Sequence, residues 1–293
     1  MNSSDELPSL ALDRLADRAD YAVIGPMDGR TSVPDATIRP YAAICQLVPE
    51  FSGDRRIYAR SGFLIFPDVV LTAAHNLYML RPGRTGRTVP WRYRVTPGRN
   101  GVGAPPFGSQ PAMHLYASQR FMATSDPLSD FGFIKTARPF RGLPGVFRLA
   151  ALSNSRLRQV RSHRFLHIAG YPCDKSFGTM WEHAERLDLF APHSLYYRVD
   201  TRLGHDGSPI WVRRDRAGQV DAIGIHVSGP PGYREDVCER GLAPPGATNR
   251  GVRITRELIA MGRHVHRGTP HDDPSATVVK AVRSRSAADG PVT

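Results

Sequence analysis

Residues 61–78 read SGFLIFPDVVLTAAHNLY. Two short runs, GFLIF (62–66) and DVVLTAAH (68–75), are dense in Phe, Ile, Leu and Val and are broken at Pro67. Apolar runs this short, bounded by a proline and without helical spacing, predict buried strands. The second run closes on Ala73-Ala74-His75, small residues that let a histidine sit at a tight turn. Outward from this pair the style repeats. AAICQLV (42–48) precedes it, and FGFIKT (131–136), RFLHIAGYP (164–172), SLYYRVD (194–200), SPIWV (208–212) and VDAIGIHVS (220–228) follow. Residues 81–111 are rich in Pro, Gly and Arg and predict loops, with short strands at most; a Pro/Gly linker follows near 139–145. Many short strands between turn signals predict an all-β barrel or sandwich. One helix is predicted, ITRELIAMGRHV (254–265), in which Ile254, Leu258, Ile259, Met261 and Val265 form an apolar stripe that can pack on a barrel.

The 293 residues suffice for one large core or two modest ones. With 25 prolines and 27 glycines the chain is turn-rich, which argues against a helical bundle. No run approaches the roughly 20 apolar residues of a membrane-spanning helix. Residues 1–22 read as a polar leader, without the basic start and apolar block of a secretory signal, so the expected location is the cytoplasm. Secretion or a periplasmic location would follow if the start codon is mis-assigned. The net charge of +12 is carried by arginine, since Lys135, Lys175 and Lys280 are the sole lysines. Such a charge can attract nucleic acid or acidic protein segments, but the arginines form no dense run and no interleaved aromatic set, which reads as solvated surface. Cys45, Cys173 and Cys238 allow at most one internal disulfide. Beyond about residue 267 the composition is polar and predicts a disordered tail.

Three segments carry chemistry. His75 ends a buried strand at a turn. Asp130, in SDFGFIK (129–135), stands at the mouth of another apolar strand. Gly204-His205-Asp206-Gly207-Ser208-Pro209 is a glycine turn before a strand, able to aim backbone N–H groups at a developing oxyanion. Each alone is ordinary; a histidine after a strand and an aspartate before one are commonly structural. In the order His, Asp, glycine turn they are specific.

In this order the chain resembles the glutamyl endopeptidases, a branch of the trypsin/chymotrypsin superfamily, from Val23 to about Gly251. RVTPGRNGVGAPPFG (94–108), GYPCDKSFGTMWEH (170–183) and IGIHVSG (223–229) lie closer to that branch than to digestive trypsins. The resemblance implies two packed antiparallel Greek-key β-barrels with a C-terminal helix. It divides the chain into a leader (1–22), an N-terminal barrel (23–142), a C-terminal barrel with the terminal helix (143–266) and a tail (267–293). It implies His75 as general base, Asp130 as the group that orients it, and the N–H groups of Gly204 and Asp206 as oxyanion hole. Thr201 and His226 are implied as a pair receiving a glutamate side chain, since a carboxylate needs hydrogen-bond donors. Val23-Ile24-Gly25-Pro26 resembles a mature amino terminus, so Val23 would join the pocket if the leader is trimmed; the alternative is a leader that stays attached. His205 replaces the aspartate with which a trypsin-type amino terminus pairs. No cofactor and no metal is implied, and the implied partner is a protein or peptide with acidic residues, not a membrane or nucleic acid.

The departure is at the nucleophile. Laid on Gly-x-Ser-Gly-Ser/Gly-Pro, the serine position holds Asp206. A carboxylate would have to form a mixed anhydride from an amide, so hydrolysis after Glu by a His-Asp-Ser triad is expected to be impaired or lost, leaving as the alternative a non-catalytic fold that grips acidic segments. Ser208 and Cys173 are other nucleophiles to weigh; the first should point away from His75 and the second reads as structural. A metal held by His75, Asp130 and Asp206 is disfavoured, because the two ring nitrogens would face opposite carboxylates. A third reading is a basic nucleic-acid-binding protein, which no motif supports.

Overall fold

The structure, a computed structural model, describes residues 27–80, 86–215, 218–228, 248–268 and 276–281. After a two-residue strand β1 (Thr31–Ser32), strands β2 (Ile44–Glu50), β3 (Arg60–Phe66) and β4 (Val69–Thr72) form a meander. A small hairpin, β5 (Met79–Leu80) with β6 (Arg87–Thr88), precedes β7 (Arg92–Pro97), β8 (Gln110–Ser118) and β9 (Gly132–Thr136). The order β2-β3-β4-β9-β8-β7 returns to β2, closing a six-stranded antiparallel barrel. After β10 (Arg148–Leu149), a second barrel closes from β11 (Phe165–Gly170), β12 (Trp181–Phe190), β13 (Ser194–Tyr197), β14 (Pro209–Arg213), β15 (Val220–Ser228) and β16 (Asn249–Arg253). These are the two antiparallel barrels that the resemblance implies.

The unbroken apolar runs of the sequence have a physical cause. Phe63, Leu64, Val69, Val70 and Leu71 have no exposed surface, because both faces of β3 and β4 are covered. Inside the barrel Gly62 leaves room that a side chain would fill: a Cβ there would lie 2.7 Å from Val70 Cγ1 and 2.9 Å from Leu47 Cδ1. At the barrel contact the buried Ser61 hydroxyl donates to the carbonyl of Gly204 at 2.7 Å and accepts from the N–H of Tyr171 at 3.0 Å.

Three expectations are corrected. The terminal helix, assigned with the second barrel, packs on the first. Among the described residues it is the last of four α-helices, α1 (Ala74–Leu77), α2 (Gln119–Thr124), α3 (Asn154–His163) and α4 (Arg256–Arg267). Thr255 caps α4 by accepting from Leu258 N, and Gly268, with φ of 75°, ends it in the left-handed conformation. Its buried face is Leu258, Met261, Gly262 and Val265, and Gly262 lets it approach Ile65 and Phe133 of the first barrel. His266 stacks on Phe66 with ring centroids 4.1 Å apart, and both His266 Nδ1 and Lys135 Nζ bond Asp68. Second, β1, assigned with the first barrel, pairs with β12 of the second. Third, the tail is not wholly without structure. The helix runs through Arg267, and β17 (Ala276–Ala281), an ATVVKA segment with β-branched residues at its centre, adds to β8 as an antiparallel strand. The leader 1–22, Val23 and Cys238 lie outside the described residues.

Candidate active site

β4 delivers His75 to the start of α1, and Ala73 and Ala74 beside it are fully buried, leaving no space for larger residues. Asp130 follows a 3-10 turn, Pro127–Ser129, capped by the Asp126 carboxylate accepting from Leu128 N at 3.0 Å. Asp130 grips His75 twice. Its Oδ1 accepts the His75 backbone N–H at 2.9 Å, and its Oδ2 lies 2.6 Å from Nδ1. The ring therefore has one orientation, with Nε2 directed away from Asp130.

Asp206 stands opposite, with its Oδ2 3.6 Å from His75 Nε2, an ion-pair separation and not a hydrogen bond. Its side chain has no exposed surface, and neither carboxylate oxygen has a hydrogen-bond partner among the described residues. The turn is rigid because nothing but glycine fits beside it. Gly204 and Gly207 have φ of 103° and 81°. A Cβ on Gly207 would lie 2.1 Å from Thr72 Oγ1 and 2.2 Å from the Ser61 carbonyl. The Asp206 carbonyl accepts from Ser61 N at 3.1 Å and from Asn76 Nδ2 at 2.9 Å, tying the turn to the other barrel. Among the described residues no acceptor takes the N–H of Gly204 or of Asp206.

Burial alone would lower the pKa of His75. The charge and hydrogen bond of Asp130 and the nearby charge of Asp206 outweigh it and hold the ring at about 10. His75, Asp130 and Asp206 lie in a line, with each ring nitrogen facing its own carboxylate. Among the described residues no group of three or more His, Cys, Asp or Glu side chains is placed to hold a metal ion.

Thr201 and His226 are both fully buried and are joined through β16. Asn249 Nδ2 donates to Thr201 Oγ1 at 3.1 Å, so the threonine O–H is directed elsewhere. The Tyr197 hydroxyl lies 2.7 Å from His226 Nδ1. Burial raises the Tyr197 pKa well above its ordinary value and pushes His226 down to about 3. A phenol that keeps its proton donates to Nδ1, which leaves the neutral ring carrying its proton on Nε2. The His226 backbone is also braced to the glycine turn: Gly207 N donates to its carbonyl at 2.8 Å, and its N–H donates to Ser208 O at 2.9 Å. Asn76, Tyr197 and Asn249 are not legible as site residues, because a polar residue in a one-turn helix or at a strand end carries no motif. The pair Tyr196-Tyr197 was the nearest signal.

The Ser208 hydroxyl lies in the barrel contact: a Cβ on Gly170 would stand 2.3 Å from it and 2.5 Å from Ser61 Oγ. Cys173 is disulfide-bonded and Cys45 is a buried free thiol. His205 is buried, its pKa pushed down to about 3 by burial and then by the charge of Arg30.

Arg30 anchors the N-terminal segment beside this site. Its buried guanidinium bonds Asp28 at 2.8 Å and Asp174 at 2.5 Å, and Gly29 N donates to Asp200 Oδ2 at 2.7 Å, next to Thr201. Arg30 holds the Asp28 carboxyl well below the usual range, and for Asp174 it outweighs the opposing effect of burial. Carboxyls with depressed pKa stabilise the fold above their unfolded pKa, and this stabilisation is lost as pH falls through the folded value. Arg30→Met should therefore cost about 3 kcal/mol in urea denaturation at pH 7. The difference from the unaltered protein should shrink at pH 3; a pH-independent difference would assign Arg30 a packing role alone.

No family model matches the chain. It is 30% identical over 240 residues to an extracellular metalloprotease of Bacillus subtilis, spanning 81% of this chain and 67% of that protein. Against a glutamyl endopeptidase of Bacillus licheniformis it is 29% identical over 238 residues, with 81% and 67% covered. A solved structure of a Glu endopeptidase in complex with MPD superposes with a TM-score of 0.63 at 24% identity, over 85% of this chain and 99% of that one. The paired six-stranded barrels and these relatives, matched along four fifths of the sequence, agree: the chain belongs to the glutamyl endopeptidase-like proteases of the trypsin fold.

Proposed function

We propose that this chain is a glutamate-directed member of that family whose peptide-bond chemistry is blocked at Asp206, leaving it to bind peptides by a glutamate side chain. The observation that carries the reading is the buried Asp206 carboxylate 3.6 Å from His75 Nε2. A serine there would give its proton to a neutral imidazole and form an acyl ester. Asp206 has no hydroxyl to activate, and with two carboxylates about it His75 is held as an imidazolium, which is no base. Attack by the carboxylate on an amide would give a mixed anhydride, far uphill of the amide.

The pocket reading rests on donors without fixed charge. Neutral His226 with its proton on Nε2, and Thr201 with its oxygen occupied by Asn249, can both donate to an entering carboxylate. Gly204 and Asp206 N–H serve as oxyanion hole in this assignment, His75 and Asp130 as base and orienting group, and Val23 as a further pocket residue if the leader is trimmed. The anchoring of Gly29 on Asp200 supports that last role, because it brings the N-terminal segment to the residue before Thr201. The substrate class is protein or peptide with acidic residues. No helix among the described residues is long and apolar enough to cross a membrane. The disulfide at Cys173 favours an oxidising compartment over the cytoplasm.

The test uses the purified chain, full length and beginning at Val23, with a fluorogenic Glu peptide and its Gln counterpart. Expected is binding that favours Glu, without turnover. Robust turnover abolished by His75→Ala would sink the blocked reading, and equal affinity for the two peptides would sink the pocket.

A further inference from the structure

Arg250 is a buried cation without a counter-ion within ion-pair distance among the described residues. It lies on β16 in register with Ser228 of β15, and is 5% exposed. Its Nε donates to Ser228 Oγ at 3.3 Å and its Nη1 to the carbonyl of Pro127 at 3.0 Å. Among the described residues no carboxylate oxygen lies within 4.0 Å of the guanidinium, and Nη2 donates to nothing. Burial depresses its pKa, which the more distant charge of Asp130 offsets in part. Buried charges are ordinarily paired, since the desolvation cost of an isolated one is several kcal/mol. Two neutral acceptors are a thin environment for a guanidinium.

Its location says what would complete the pair. Ser228 lies two residues beyond His226 on β15. β14 begins at Pro209, opposite Ile225, so beyond His226 the β14 side of β15 has no strand neighbour among the described residues. An extended peptide can add along Val227 and Ser228 as a further strand. With its glutamate in the pocket at His226, the alternation of side chains turns the residue one position before, and the one three positions before, to the opposite side. Arg250 is bonded to the Pro127–Ser129 turn, which leads into Asp130 beside His75.

We propose that Arg250 is the specificity residue of a second acidic subsite, pairing with an Asp or Glu one or three positions before the pocket glutamate. This rests on the peptide-binding reading above. A bidentate guanidinium–carboxylate contact fits the partner. The site would thus read two carboxylates by different means: neutral donors at His226 and Thr201, and a fixed charge at Arg250.

The experiment measures fluorescence anisotropy of labelled peptides on the full chain as it exists. The Glu is fixed, and each upstream position in turn carries Asp or Asn. At one of the two positions Asp should bind about tenfold more tightly than Asn. Arg250→Met should erase that ratio while the preference for Glu over Gln at the pocket stays. Arg250→Lys, which keeps charge and much of the length, should retain part of it and guards against loss by misfolding. An Asp/Asn ratio unchanged in Arg250→Met, or equal weakening of Asp and Asn peptides, would overturn the proposal and leave Arg250 a structural bridge between barrels. The two readings fail separately. Loss of the Glu/Gln preference with an Arg250-dependent Asp/Asn ratio removes the pocket and keeps the subsite.

Discussion

Asp206→Ser should turn this chain into a peptidase that cleaves after glutamate, with kcat/KM rising by on the order of 10^4-fold or more over the unaltered protein. Elimination of a triad nucleophile elsewhere costs up to about 10^6 in kcat, and a residual 10^3–10^4 over water survives through the oxyanion hole and binding. Two changes occur together. The serine supplies a hydroxyl on the Nε2 side of a ring that Asp130 already orients at 2.6 Å. Loss of the second carboxylate also lowers the His75 pKa, so that the ring becomes neutral at a lower pH and can accept a proton. The rate should rise with pH through a single ionisation lying below the value of about 10 that His75 has now. Adding His75→Ala to Asp206→Ser should return activity to background. If Asp206→Ser folds, binds Glu peptides and stays inert, the block lies elsewhere than in residue 206, and the proposed function is wrong on that point.

The parts of this molecule legible in the sequence are those with a local signature. Residues 63–66 and 69–71 are legible as strands because their runs are buried on both faces almost throughout and hold no polar residue. The order His75, Asp130, Gly204–Pro209 located the site because the chemistry demands those residue types. What escaped were strands whose reason is one-sided or distant. β12 (WEHAERLDLF) interleaves charge with apolar residues, as a half-exposed strand must. β8 carries Pro111 at its second position, and β16 (NRGVR) is polar in sequence although Asn249, Gly251 and Val252 are buried. α3 was missed too, since Leu157 and Val160 are its sole buried residues and arginines surround them. The helix α4 was found but not its partner: an amphipathic stripe says that something covers it and not which barrel does. The same limit applies to Arg250 and Arg30. Among so many arginines, nothing local separates a buried guanidinium from a surface one.

The charge state of His75 makes the fold itself sensitive to alkali. The folded value of about 10 lies above the ordinary value near 6.5, so the native chain holds a proton that the unfolded chain releases between those limits. The resulting stabilisation is complete below pH 6.5 and is lost as pH rises through 10. One proton corresponds to a slope of about 1.4 kcal/mol per pH unit. Urea denaturation between pH 7.5 and 9.5 should therefore show stability falling at about that rate. Asp206→Asn should flatten the dependence, since Asp130 alone then supports the imidazolium against burial. The buried phenols of Tyr93, Tyr171 and Tyr197 also favour lower pH, because burial raises their pKa values. They act above this window, so the difference between the two slopes within it isolates His75. Identical slopes would mean that Asp206 does not hold the imidazolium, and the electrostatic half of the blocked reading would fall while the missing hydroxyl remained.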